Sequence, residues 1–251
     1  MSYALNSVYV ADAIDFVQNM YGIKVDLTIT SPPYNKCESA RLESIGNRKI
    51  DIEYENENGD DFQDCMDEDL YQYLQIKLLN LIYDITAPNG ALFYNHRVRY
   101  KNGKLIHPIS WLSRTKWNIY QEIIWDKNII LNPDKIRFYH VDERIYWLQK
   151  GKFEGELSKE AAGWKTIWRI SERVPDFARE HPAPFRPSIP RRIIQAFLGD
   201  KPGLVFDPYC GVGTTLIEAK RLGKKYLGCD ISEKYVKIAR EQLTLTENPL
   251  V

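Results

Sequence analysis

Two short clusters carry residue types suited to chemistry. Ser31-Pro32-Pro33-Tyr34 comes directly after the apolar run at residues 25–29, with Thr30 as its lead-in. Consecutive prolines fix φ and lack amide hydrogens, so the loop is rigid and rich in carbonyl acceptors. The amine of a nucleic-acid base is a poor nucleophile because its lone pair is delocalised into the ring. Holding its two hydrogens with the Ser31 hydroxyl and the Pro32 carbonyl favours a more tetrahedral, nucleophilic nitrogen. Tyr34 adds a π-face on which a base can stack. The second cluster is Asp207-Pro208-Tyr209-Cys210-Gly211-Val212-Gly213-Thr214-Thr215, between the apolar run at 204–206 and a helical pattern. Glycines there let a ligand approach the backbone closely, in the crevice where open α/β sheets bind cofactors. Position 216 is Leu, so this is not the dinucleotide G-x-G-x-x-G pattern. Asp230 follows at the end of the next apolar run, where a carboxylate can accept hydrogen bonds from ribose hydroxyls.

The elements that must position these clusters alternate. Residues 8–10 read as a strand, Ile14, Phe16 and Val17 as a helical face, and 25–29 as a second strand. Residues 70–85 repeat apolar positions at helical spacing, Pro88-Asn89-Gly90 reads as a turn, 91–94 as a buried strand and 121–125 as a late sheet strand whose Trp125 belongs to the core. Strand, glycine turn, helix and strand recur at 204–229. This pattern predicts an α/β domain with a mainly parallel sheet covered by helices on both faces. Residues 128–180 fit the alternation poorly and carry Trp147, Trp164 and Trp168 among Lys and Arg, with Gly151, Gly155 and Gly163 as breaks, so they read as an inserted module.

Length fits one large core with an insertion. No apolar run is long enough to span a membrane and residues 1–20 do not resemble a secretory signal, which predicts an intracellular protein. Cys37, Cys65, Cys210 and Cys229 lack paired spacing for zinc or redox chemistry and read as reduced thiols; His96 and His107 have no metal-ligand companions and read as structural or solvent-facing. The 34 basic and 34 acidic residues cancel, but ten of the acids fall at 51–69 with no base among them. The rest of the chain is therefore positive. The acidic run reads as a solvated mobile loop, within about 35–69, with a gate near a nucleic-acid path as the sharper alternative. Arg97, Arg99, Lys101, Lys104, Arg114 and Lys116 are candidates for phosphate contacts, against the alternative of a solvated basic face.

Together, Thr-Ser-Pro-Pro-Tyr-Asn and Phe-Asp-Pro-Tyr-Cys-Gly-Val-Gly-Thr-Thr resemble the motifs of the S-adenosylmethionine-dependent DNA amino-methyltransferases, which act on cytosine N4 or adenine N6. The order, with the Ser31 tetrad first and the glycine turn late, resembles the circularly permuted β group over residues 6–242. The resemblance implies a Rossmann-like class I methyltransferase fold with a seven-stranded sheet. Residues 1–127 would be the catalytic half, 128–180 a target-recognition insert and 181–251 the cofactor half of one domain. It implies that Asp207, Pro208, Gly211, Gly213 and Thr214 surround the methionine part of S-adenosylmethionine, that Asp230 binds its ribose and that Asp12 lies at its adenine amino group. As an isolated residue Asp12 reads equally as a helix cap. His181-Pro-Ala-Pro-Phe-Arg-Pro187 resembles the segment before the family's first cofactor helix, with Phe185-Arg186 departing from the usual lysine-proline. Ser31 at the head of the tetrad favours cytosine N4, with adenine N6 as the alternative. The remaining alternatives are an RNA or protein amino-methyltransferase and an inactive DNA-binding specificity module. Cytosine C5 chemistry needs a thiolate, usually in a Pro-Cys pair, and the chain has none. The implied partners are double-stranded DNA, a second copy in a homodimer and a companion restriction enzyme, with no metal and no membrane, in the cytoplasm of a prokaryotic cell or phage-infected host.

Overall fold

The computed structural model describes residues 3–35, 66–101, 103–127, 138, 140–181 and 184–247. Cys37, Cys65 and most of the acidic run lie outside them. Along the chain run β1 (Ser7–Val10), α1 (Ala13–Gln18), β2 (Val25–Thr30), α2 (Glu68–Ile85), β3 (Thr86–His96), β4 (Arg99–Lys101), β5 (Lys104–Ile106), α3 (Ile109–Leu112), β6 (Asn118–Asp126), β7 (Asp142–Gln149), β8 (Ile167–Arg169), α4 (Ser188–Phe197), β9 (Leu204–Asp207), α5 (Thr214–Arg221), β10 (Lys225–Asp230) and α6 (Glu233–Leu245).

The main sheet has the order β1-β10-β9-β2-β3-β7-β6-β8. It contains eight strands where seven were expected. The additional one, β8, is three residues long and pairs parallel to β6 through Ile124 with Ile167 and Trp125 with Trp168. So short a run carries no alternation by which a strand is recognised. Among the described strands of this sheet only β7 runs against its neighbours, pairing antiparallel with both β3 and β6. Order reverses between β9 and β2: the chain leaves β9 toward β10, whereas β2 leads toward β3. A crevice outside the carboxyl ends at such a point is where open α/β sheets bind ligands.

Two apolar layers cover the sheet. Ile189, Ile193 and Ile194 of α4, Leu216 and Ile217 of α5 and Val236 and Ala239 of α6 pack with Leu27, Ile29, Phe93 and Val205. On the other face Phe16 and Val17 of α1, Leu78, Leu79 and Ile82 of α2 and Trp111 of α3 pack with Leu92, Tyr94, Phe206 and Leu227. Strands buried on both faces read as continuous apolar runs, which is why 25–29, 91–94 and 204–206 were visible in the sequence.

Two local expectations change. Pro88-Asn89-Gly90 is not a turn but an irregularity inside β3: Val25 pairs with Thr86 and Leu27 with Ala91, so the extra residues bulge, with Asn89 at φ 61°. The stretch read as an insert supplies β7 and β8 to the main sheet, and Trp147 and Trp168 are buried in the core. Trp164 instead lies under the Arg192 guanidinium, 4.9 Å from its carbon to the ring centroid.

Candidate active site

The carboxyl ends of β1, β10, β9, β2 and β3 line one edge of the sheet, and the two sequence clusters meet there. Thr30, the last residue of β2, donates its hydroxyl to Asp207 Oδ1 over 2.8 Å. That bond joins the lead-in of the Ser31 loop to the first residue of the glycine turn. Asp207 also accepts from the Tyr209 amide at 3.1 Å. Burial raises its carboxyl to about 7, despite hydrogen bonds from Thr215, Thr30 and Tyr209 that act in the opposite sense.

Beyond Asp207 the chain turns through Gly211 (φ 49°) and Gly213 (φ 86°) into α5. A Cβ at Gly213 would stand 2.8 Å from Ala239 Cβ, and one at Gly211 would stand 3.1 Å from His181 Nε2. Pro208 and Thr214 are buried beside them. Asp230, at the end of β10, holds the turn by accepting from the Gly211 amide at 2.9 Å, and accepts from the Ser232 amide at 2.9 Å with its other oxygen. Each oxygen thus keeps a lone pair for a ligand hydroxyl. Val10 is in register with Asp230, and two residues on, Asp12 caps α1 by accepting from the amides of Ile14 and Asp15. The helix-cap reading of Asp12 is therefore met, with its side chain on the same edge.

At the mouth of the crevice, the Ser31 loop is built into a polar cluster larger than the sequence suggested. Ser31 Oγ and the Tyr34 hydroxyl are 2.8 Å apart, and Tyr34 donates to Glu143 Oε2 at 3.0 Å. Asn95 Nδ2 lies 3.2 Å from Ser31 Oγ, 2.6 Å from the Tyr34 hydroxyl and 2.8 Å from Glu143 Oε2. Lys127 pairs with the other Glu143 oxygen, and its ammonium lies 4.6 Å from the centroid of the buried Trp125 ring. Burial acts to raise the Glu143 carboxyl, but Lys127, Asn95 and Tyr34 outweigh it and hold the group below the usual carboxylate range. Burial, reinforced by the Glu143 charge, pushes the Tyr34 phenol well up, so it stays a donor.

The Tyr34 ring, expected to offer its face to a base, is only 6% exposed and packs 4.6 Å from the His96 ring. His96 is fully buried rather than solvent-facing, with Nε2 2.7 Å from the Tyr71 hydroxyl. Tyr71 in turn donates to the Pro33 carbonyl at 2.8 Å, so α2 braces the loop.

The six basic candidates divide. Lys101 and Lys104 stand on the β4–β5 hairpin that follows β3 at the active edge, and half-buried Arg97 lies just before it, its charge felt by Tyr34. Arg99 is buried and bound by both terminal nitrogens to Glu68 at 2.8 Å, with Tyr71 and Trp111 rings beside it, so it has no charge to offer a phosphate. Arg114 reaches Gln72 on α2. Lys116 pairs with Asp84 in the last turn of α2, at the opposite edge of the sheet. The described end of the acidic run is a helix start and not a solvated loop: Asp67 caps α2, and Glu68 and Asp69 fill its first turn, where the helix dipole favours negative charge. Among the described residues no group of His, Cys, Asp and Glu could hold a metal ion, and no helix is long and apolar enough to cross a membrane.

Glu143, Asn95 and Lys127 escaped the sequence reading. Residues 25–241 match the DNA methylase family of N6 and N4 enzymes. The chain belongs to that family. Two curated relatives are similar along most of their length: the type II methyltransferase M2.DpnII of Streptococcus pneumoniae, 26% identical over 93% of this chain and 87% of the relative, and M.HinfI of Haemophilus influenzae, 26% identical over 95% and 68%. The fold of this DNA methylase is shared with the cytosine-N4-specific PvuII DNA methyltransferase, at a TM-score of 0.71 and 17% identity over 96% of this chain and 87% of that one. It is shared also with M1.HpyAVI, solved as a complex with S-adenosylmethionine, at 0.64 and 18% over 94% and 98%.

Proposed function

We propose that this DNA methylase is site-specific and transfers a methyl group from S-adenosylmethionine to the exocyclic N4 amine of cytosine in double-stranded DNA. The observation that carries the reading is Ser31 at the end of β2, with Thr30 hydrogen-bonded to Asp207 so that an amine acceptor and a cofactor turn share one crevice. Adenine N6 is the alternative. Serine rather than aspartate at the head of the tetrad favours cytosine, because in resembling enzymes that position is most often Ser for cytosine and Asp for adenine.

The donor set fits S-adenosylmethionine. Asp230 has lone pairs free for ribose hydroxyls, Asp12 stands beside it for the adenine amine, and Asp207, Pro208, Gly211, Gly213 and Thr214 form the turn for the methionine part. When bound there, the cofactor supplies an electrophilic sulfonium methyl for direct in-line displacement. The protein's own contribution is placement. A base flipped from the duplex forfeits a few kcal/mol of stacking and pairing, which contacts within the crevice must offset. Its amine hydrogens would meet Ser31 Oγ and the Pro32 carbonyl, and holding the nitrogen against the methyl supplies most of the acceleration. Arg97, just before the β4–β5 hairpin, and Lys101 and Lys104 on it are the proposed contacts to the backbone of the duplex.

The test is to incubate the protein with methyl-labelled S-adenosylmethionine and DNA, RNA or protein, digest the product and identify the labelled species by mass. N4-methylcytosine in DNA is the expected product. N6-methyladenine would move the assignment to the alternative, and label absent from DNA would overturn the reading.

A further inference from the structure

Ser31 alone is an ambiguous partner for an amine, because a hydroxyl rotates and can donate as readily as accept. Only the acceptor state helps. A donor aimed at the amine nitrogen would occupy the lone pair that must attack the methyl group.

The structure resolves the ambiguity from behind the serine. An ionised carboxylate has no hydrogen, so it can only accept. Glu143 is kept in that form by Lys127 on its far oxygen. The Tyr34 hydroxyl, 3.0 Å from Glu143 Oε2, therefore spends its single hydrogen on the carboxylate. Between Tyr34 and Ser31, 2.8 Å apart, the hydrogen must then come from Ser31. With its hydrogen committed to Tyr34 and one lone pair accepting from Asn95, Ser31 Oγ has only a lone pair left to present to the crevice. Asn95 reinforces the order. Turning its amide over would set an oxygen 2.8 Å from Glu143 Oε2, so Nδ2 faces the cluster and donates to it, while Oδ1 has no partner among the described residues. We propose that Glu143, acting through the Tyr34 hydroxyl, is a positioning residue that fixes the direction of the hydrogen bonds and makes Ser31 an obligate acceptor for the target amine.

The chain order explains how a carboxylate reaches this place. Because β7 runs antiparallel to β3, its first residues, not its last, lie at the active edge: His96 pairs with Arg144, and Glu143 stands one residue further out. Glu143 thereby gives a serine enzyme a negative charge behind its acceptor without placing that charge in contact with the base.

The inference rests on the amine-methylation reading, and the experiment separates the two. Single-turnover methyl transfer is measured at saturating S-adenosylmethionine for wild type, Glu143→Gln, Tyr34→Phe and the double variant, alongside cofactor affinity and melting temperature. Glutamine keeps the shape but can donate, which lets the chain reverse. Glu143→Gln should slow transfer roughly tenfold to a hundredfold, as expected for losing one oriented hydrogen bond at a reacting centre, with cofactor affinity unchanged. In the Tyr34→Phe background the same change should cost nothing further, since the hydroxyl that carries the direction is gone. A purely structural role for the Glu143–Lys127 pair would slow both backgrounds equally, and that result overturns the proposal. So does a Glu143→Gln rate equal to wild type. Should Glu143→Gln fail to fold, Tyr34→Phe alone must show the loss, and a wild-type rate there is equally fatal. If wild type itself places no label on a base amine, the underlying reading falls.

Discussion

Asp207 illustrates how one buried carboxylate sets both a contact and a pH dependence. It sits at 4% exposure, tied to Thr30 and Tyr209, with its carboxyl raised to about 7. A group whose pKa is higher folded than unfolded binds more protons in the native state between those two values, so its contribution to stability falls as pH rises from about 4 to about 7. Asp207→Asn keeps an acceptor and removes the titration. The melting temperature of the variant relative to wild type should therefore climb between pH 4.5 and pH 8, by the equivalent of up to a few kcal/mol. An unchanged difference across that range would show that Asp207 does not titrate there. At Arg99 the arithmetic is different. It is a nearly buried cation with a bidentate carboxylate, and deleting one partner strands the other, so Arg99→Ala should cost about 3 kcal/mol in chemical denaturation. Ser31, Tyr34, Asp207 and Asp230 were legible because their neighbours are prolines and glycines with few other uses. Glu143 and Asn95 were not, since a single polar residue in a strand pattern gives no sign of which sheet edge it will reach.

Elements positioned by backbone geometry yield sharper contrasts. Gly213 and Gly22 both hold positive φ, at 86° and 74°, but a Cβ at Gly213 meets Ala239 of α6 at 2.8 Å whereas one at Gly22 meets nothing within 4 Å. Alanine at Gly22 should cost only the conformational penalty of about 1 kcal/mol. Alanine at Gly213 adds a collision between α5 and α6 and should cost about 2 to 4 kcal/mol, together with cofactor affinity; urea denaturation of the two variants side by side measures the difference. The long buried strands and α2 were readable from periodicity alone. What periodicity hid was direction: β7 reads as an apolar run whichever way it points, and the bulge at Asn89 looks like a turn because the same residue types serve both.

At the scale of the molecule, the candidate chemistry is sorted to one edge of the sheet. Lys101 and Lys104 are on that edge, and Lys116 is on the other, spent on Asp84. Replacing Lys101 and Lys104 with glutamine should weaken DNA binding and lower the slope of log affinity against log salt by about 2, one for each phosphate that no longer meets a lysine. Lys116→Gln should leave both unchanged, and equal effects from the two edges would refute this placement of the duplex. The sorted edge also carries a built-in spectroscopic gauge. Trp125 lies beneath the Lys127 ammonium that holds Glu143, with its indole N–H fixed on the Ile170 carbonyl at 3.1 Å. An indole locked in one orientation shifts its emission when a charge beside it moves. The colour of Trp125 fluorescence, isolated by difference against Trp125→Phe, would follow in real time whether the ion pair behind the serine stays closed while a base enters and leaves.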